Sequence, residues 1–331
     1  MTIKFDNVYL NEVSTSAGLD EKEGLLGKLY DKTYDNYYNS CKTFEQAEIK
    51  IIKDNIKILL SKSKKKIEDI SVILGADLLN QITASSYASA SLNRPFLGVY
   101  SACASLCEEL MIASSLLQNN NINSCLCMVS SHNATAERQF RNPTEYGCPK
   151  PKRATFTVTG SASAILSKEK GKIKITSATI GTTTDMGITD VYDMGTVMAP
   201  SAARTINDHL KDTNQTISDY DLILTGDLGI YGKETLKKFM KEVYNTKLDY
   251  NYEDSACIIY DIKKQKKVNA GGSGPACLAL VTYTDVLNKM KKGQLKKVLL
   301  VATGALMSPT MNNQKLSIPS ISHAVSLEVE L

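Results

Sequence analysis

Three segments recur in the same order in the two halves of this 331-residue chain, and that duplication limits the fold more than any other feature. Residues 69–79 (DISVILGADLL) match 219–229 (DYDLILTGDLG), each an apolar strand running into a small residue, Asp and Leu. Residues 100–117 (YSACASLCEELMIASSLL) match 271–287 (GGSGPACLALVTYTDVL), a strand end or turn leading into a helix. Residues 123–131 (NSCLCMVSS) match 296–304 (KKVLLVATG), a further strand. Three matches in register mark a repeated unit. Continuous apolar strands alternating with helices predict α/β architecture with parallel sheet covered on both faces. The division falls after Gly171, giving halves 1–172 and 173–331.

The helical segments carry the expected period. After Thr43, an N-cap with Gln46 three residues on, Ile52, Ile56, Leu59 and Leu60 mark one face. Ala279, Tyr283, Val286 and Met290 do the same in the second half, where Gly293 stops the helix and lysines sit at its negative end. Two stretches read as extended connections: 134–159, rich in Arg, Lys and Pro, and 182–200, which holds the tripeptide DMG twice. Residues 202–211, with His209, read as a surface helix.

Composition excludes several classes. A chain that is 43% hydrophobic and 22% charged is globular. Its first ten residues lack a cationic start followed by an apolar core, and no apolar run is long enough to cross a bilayer. The expected location is cytosolic, or peripheral to a membrane. The eight cysteines show no CxxC spacing, which argues for reduced thiols rather than zinc ribbons or thioredoxin chemistry. Net charge is +4, with lysines gathered at 62–66, 263–267 and 289–297. These runs read as solvated helix ends and turns, with an anionic surface as the alternative partner. No aromatic residues interleave with them, so nucleic acid is not expected.

The chemistry centres on Cys103, which lies between an apolar strand, 96–100, and an amphipathic helix. A thiol at a helix N-terminus feels the positive end of the dipole, which favours thiolate. Its repeat partner is the turn Gly271, Gly272, Ser273 and Gly274 before Pro275. Glycines there let backbone approach a ligand closely, and proline suits a first helical turn. Two helix N-termini converging on one pocket make an anion site. Ser131, His132 and Asn133 lie just past a strand end, where binding residues of parallel sheets gather. His323 is a second candidate. Arg138 and Arg141 offer charge, with Glu137 and Glu145 as competing partners. Asp77 and Asp227 are repeat equivalents near strand ends; they are weak candidates to touch a metal, bracing a loop being the commoner role.

The duplication with a cysteine elbow resembles the thiolase and ketoacyl-synthase superfamily. The strings GLLGKLYDKTYD (24–35), GADLLNQ (75–81), SSHNATAERQFRNPTEYG (130–147), GITDVYDMGTVMAP (187–200), AGGSGPAC (270–277) and VATGALMSPT (301–310) resemble one branch, the stage V sporulation protein AD family of endospore-forming bacteria, over nearly the whole chain. The superfamily implies a five-layered α-β-α-β-α fold from two duplicated halves, and homodimers. Its condensing enzymes pair the cysteine with a His and an Asn, or two His, from the second half. Here those positions hold Gly226 and Gly272, so no catalytic residue is assigned and Cys103 is read as a vestigial nucleophile. The sporulation branch implies binding of dipicolinic acid, alone or as its calcium chelate, for uptake into the developing spore. It also implies placement beside the forespore or spore inner membrane with other stage V sporulation membrane proteins. The expected ligand-binding set is Cys103, Ser131, His132, Asn133, Arg138, Gly271, Gly272, Ser273, Gly274 and His323, with no cofactor beyond calcium carried by the ligand. Two alternatives stand: an acyltransferase using Cys103 with a non-standard base such as His132 or His323, and a dimeric scaffold with an idle pocket.

Overall fold

A computed structural model describes residues 1–142 and 146–330. In the first half, five strands form the sheet: β1 (Tyr9–Ala17), β2 (Val72–Ala76), β3 (Phe96–Gly98), β4 (Ser124–Ser131) and β5 (Gly160–Ser167). The second half repeats them as β6 (Ile173–Thr179), β7 (Leu222–Thr225), β8 (Tyr252–Asp254), β9 (Lys297–Ala305) and β10 (Ser320–Val329). Their spatial orders, β3-β2-β4-β5-β1 and β8-β7-β9-β10-β6, are one permutation used twice. The two units meet where Tyr9 and Leu10 pair with Lys174 and Ile173.

The sheets are mixed rather than wholly parallel. β5 runs antiparallel to β4, and β10 to β9.

Local signals repeat at a spacing of 150 residues. The helices Phe44–Ser63 and Met194–Thr213 both have 20 residues and end on left-handed residues, Lys64 and Asn214. Each is followed by a single 3-10 turn, Ile67–Asp69 or Ile217–Asp219, whose Asp accepts from the backbone N–H of Lys66 or Thr216. Thr43 caps its helix as its sequence suggests, accepting from the Gln46 N–H at 3.3 Å.

Helix faces then set the layers. Ile52, Ile56 and Leu59 pack on Ile73, Leu126 and Ile165 outside the first sheet. Ile206 and Leu210, with Leu236 and Met240 of the helix Gly229–Tyr244, cover the second sheet at Ile223 and Leu299. Between the sheets lie the helix Ser105–Leu117 and the run 275–291, a helix interrupted by a π turn at Thr282–Val286. Leu278 through Val281 are all buried, as a helix with apolar neighbours on every side must be. The result is the five-layered α-β-α-β-α arrangement.

Three local expectations are corrected. The stretch 134–159 opens inside a helix, Asn133–Phe140, because His132 supplies a cap that its charged composition hides. The stretch 182–200 ends inside the helix Met194–Thr213, which carries Pro200 within it. His209 is buried, not on a surface: its ring nitrogens meet Thr179 Oγ1 and the Tyr220 hydroxyl, each at 2.7 Å. A buried polar side chain is tolerated when its hydrogen bonds are complete.

Candidate functional site: the pocket at Cys103

The pocket opens at the C-terminal ends of the parallel strands, where ligands of such sheets bind. The chain leaves β3 and turns sharply, with Ala102 at a φ of 50°, a left-handed conformation uncommon for a residue with a Cβ. Ser105 pins this elbow by donating from Oγ to the Ala102 carbonyl at 2.8 Å and accepting from the Ser101 N–H at 3.1 Å. Cys103 is thereby held just before the helix Ser105–Leu117.

The glycine-rich turn arrives from the second half and is not flexible. Gly272–Ser273 pairs in parallel with Phe156–Thr157, and the N–H groups of Phe156 and Val158 donate to the carbonyls of Gly271 and Ser273 at 2.8 Å. Gly274 has a φ of 99°, and a Cβ there would lie 2.6 Å from Ser131 Oγ. Close approach, rather than mobility, is what calls for glycine here.

Between elbow and turn lies a small pocket. Leu78, Tyr100, Phe140, Met194, Met198 and Met307 give it apolar walls, and Thr155, Thr157, Ser273 and Arg141 give it polar ones. The space open to the centre of a water molecule is about 60 Å³, room for roughly four to six waters. Arg141 is its chief electrostatic feature. One terminal nitrogen, Nη2, lies 2.7 Å from Glu137, which Lys150 also holds at 2.8 Å. Its Nε and Nη1 are buried and have no partner among the described residues. Burying donors of a charged group unpaired is costly, so they are set to receive an anion.

The thiol itself is not activated. Burial pushes the Cys103 thiol well above its ordinary range, and the adjacent Asp227 carboxyl pushes it further. The expectation of a dipole-stabilised thiolate is therefore corrected: desolvation and a facing acid outweigh the helix end. Asp227 is itself raised well above the carboxylate range by burial, with Asp254 adding to it. The Cys103 and Cys277 thiols lie beside it, yet neither of its oxygens has a hydrogen-bond partner of good geometry among the described residues. Its repeat equivalent Asp77 has an ordinary bracing role, accepting from the N–H groups of Leu79 and Ser85 at 2.8 and 2.7 Å. In the second half that role has passed to Asp254, which accepts from Leu228, Gly229 and Ala256. Among the described residues, no three His, Cys, Asp or Glu side chains are grouped to hold a metal.

The other sequence candidates divide. Ser273 lines the pocket, with Gly271, Gly272 and Gly274 forming its turn. Ser131 braces that turn, donating to the Val158 carbonyl at 2.7 Å. His132 faces away from the thiol: Nδ1 accepts from the Ala134 N–H at 3.2 Å and Nε2 meets the Tyr37 carbonyl at 2.9 Å. Burial lowers its pKa to about 4, so it stays neutral. Asn133 donates to the Thr157 carbonyl at 3.2 Å and borders a separate cleft. His323 lies behind the elbow, its Nδ1 accepting from Gly181 and its Nε2 3.4 Å from Ser101 Oγ. Arg138 pairs with Glu45 away from the pocket, while Glu145 lies outside the described residues. The absent catalytic asparagine also has no room, since a Cβ on Gly272 would lie 2.7 Å from Ile259 Cγ2 and 3.0 Å from Cys277 Sγ.

This fold and elbow define a class. The chain has the thiolase-like fold of 3-oxoacyl-[acyl-carrier-protein] synthase III from Aquifex aeolicus VF5, with a TM-score of 0.61 over 97% of this chain and 99% of that one, at 13% identity. A variant of OleA from Xanthomonas campestris is similar at a TM-score of 0.62 and 12% identity, over 98% and 99% of the two chains. Within that class, the chain belongs to the stage V sporulation protein AD family, whose family model matches residues 1–328. It is 46% identical over 321 residues to stage V sporulation protein AD of Bacillus subtilis (strain 168), covering 97% of this chain and 94% of that protein.

Proposed function

We propose that this protein binds dipicolinic acid in the Cys103 pocket and serves its uptake into the developing spore. The observation that carries this reading is the buried Arg141 guanidinium, with two nitrogens unpartnered among the described residues, at the wall of a small and mostly apolar pocket. Dipicolinate is a flat ring with two carboxylates. It displaces about as much water as the pocket holds, and a guanidinium matches a carboxylate bidentately. The Thr155, Thr157 and Ser273 side chains offer hydroxyls for the remaining oxygens. Calcium, on this reading, enters only as part of the ligand. The acyltransferase alternative has less support, because a nucleophilic thiol needs a base or a lowered pKa and Cys103 has a raised one beside a neutral acid.

Calorimetry with dipicolinate and its calcium chelate tests the proposal. Saturable binding by the native protein is expected, and absence of heat or thermal shift from a folded sample overturns it. The protein is further proposed to work as a homodimer, peripheral to the spore membrane beside other stage V membrane proteins. No helix among the described residues is long and apolar enough to cross a membrane. The short edge strand β3 leaves Leu97 and Tyr100 exposed, with Tyr87 also exposed, and an uncovered apolar edge invites pairing. A monomeric mass by light scattering removes the dimer.

A further inference from the structure

Three groups of lysines meet at one end of the molecule, the end opposite the pocket, while the run 263–267 lies elsewhere, with Lys267 paired to Asp20 beside a separate cleft. That end carries the starts of β1, β2, β4, β6, β7 and β9 and the finish of β5 and β10. Lys64, Lys65 and Lys66 follow the helix Phe44–Ser63 there. Lys168, Lys170 and Lys172 lie on the link from β5 to β6, and Lys291, Lys292 and Lys296 lead into β9. Contacts join the three groups into one surface. Lys65 bonds Glu169 at 3.0 Å, Lys168 donates to the Asn119 carbonyl at 2.9 Å, Lys172 donates to the Lys291 carbonyl at 2.5 Å, and Lys170 pairs with Glu330 at 3.4 Å.

Only Lys65 and Lys170 of these nine have a carboxylate partner among the described residues. The rest are uncompensated, and Lys64, Lys66, Lys291, Lys292 and Lys296 are exposed. Glu68, Asp69, Glu169, Asp219, Asp221, Glu328 and Glu330 share this end, and the nine lysines outnumber them in a chain whose net charge is +4. The cations are lysines, drawn from both halves and spread over a broad end. Dispersed point charges suit a diffuse sheet of anions, whereas nucleic-acid sites favour arginine forks and stacking aromatics.

We infer that this end is a docking surface for an anionic phospholipid membrane. Strand β9 has nine residues, Lys297–Ala305, so the pocket mouth stands about 27 Å from the lysines. It faces away from the docked bilayer and stays open to ligand. The surface gives the membrane placement proposed above a physical basis without depending on what fills the pocket.

The test is co-sedimentation of the full chain, without dipicolinate, with vesicles containing about 30% phosphatidylglycerol in phosphatidylcholine. Binding is expected to those vesicles and not to pure phosphatidylcholine, and it should vanish in about 0.5 M salt. The triple variant Lys291→Glu, Lys292→Glu, Lys296→Glu should bind at least tenfold more weakly. The triple variant Lys28→Glu, Lys152→Glu, Lys238→Glu makes the same charge change elsewhere and should bind nearly as the parent does. Equal losses in both variants, no vesicle binding, or binding to duplex DNA in preference to vesicles each overturn the inference. None of these outcomes bears on dipicolinate binding, which calorimetry reads separately.

Discussion

Replacing Arg141 separates folding from binding more cleanly than any other change. In the free protein its Nε and Nη1 are buried without partners among the described residues, and Nη2 shares Glu137 with Lys150. Arg141→Met keeps the unbranched apolar stem of the side chain but not its guanidinium, leaves Glu137 its 2.8 Å pair with Lys150, and removes a buried cation whose hydrogen bonds are incomplete among the described residues. The cost to the free fold is therefore small, and the melting temperature should shift by no more than a few degrees. Binding behaves differently. Two vacant donors on a charged group contribute about 1.5–3 kcal/mol each when an anion takes them. Their joint loss of about 3–6 kcal/mol weakens dipicolinate roughly 10²–10⁴-fold. Calorimetry on parent and variant reads this directly, and Arg138→Met, on the helix but outside the pocket, serves as control. An Arg141→Met protein that melts normally and binds within threefold of the parent refutes the argument.

Three further outcomes follow from the geometry. Cys103 should be alkylated by iodoacetamide at pH 7.5 far more slowly than a free thiol in solution, because burial and Asp227 keep it protonated; rapid labelling on intact-mass analysis contradicts this. Glu21 is buried and its carboxyl is raised from 4.5 to about 7 by desolvation, with Asp20 adding to it. The folded state then holds a proton that the unfolded chain releases, so this group's contribution falls as pH rises from 4.5 to 7 and is level above that. Glu21→Gln should gain stability over the parent across that window, by about 3 kcal/mol at most, measured by urea unfolding at several pH values. The three histidines, each lowered to about 4, push the parent and variant the other way equally and cancel in the difference. A gap that does not change with pH removes the assignment. Finally, Gly272→Asn restores the residue type of the condensing enzymes but forces a Cβ to within 2.7 Å of Ile259. Overpacking of this kind costs about 1–3 kcal/mol, and an undiminished denaturation midpoint counts against it.

Much of the framework was legible because it rests on local chemistry. The strand-Asp-Leu repeat, the Thr43 cap and the paired elbow and glycine turn are each written in a few adjacent residues. What escaped depends on direction. Arg138 and Arg141 are three residues apart, yet Arg141 follows the end of the Asn133–Phe140 helix in a non-helical conformation. No helical projection tells which of them enters the pocket. His209 stands among polar neighbours and reads as exposed, although its partners come from residues 179 and 220. The thiolate expectation failed for a similar reason. A helix dipole is visible from Cys103 and its own helix, while the opposing acid comes from the far half of the chain.

The fates of Asp77 and Asp227 show how a molecule made of two like halves comes to hold an unlike centre. Both descend from one position, and one still ties down its loop. In the other half Asp254, on an adjacent strand, holds the loop amides of Leu228 and Gly229 with that of Ala256, and Asp227 faces the cysteine instead. Removing the Asp254 carboxylate should therefore unsettle the loop first and the pocket second.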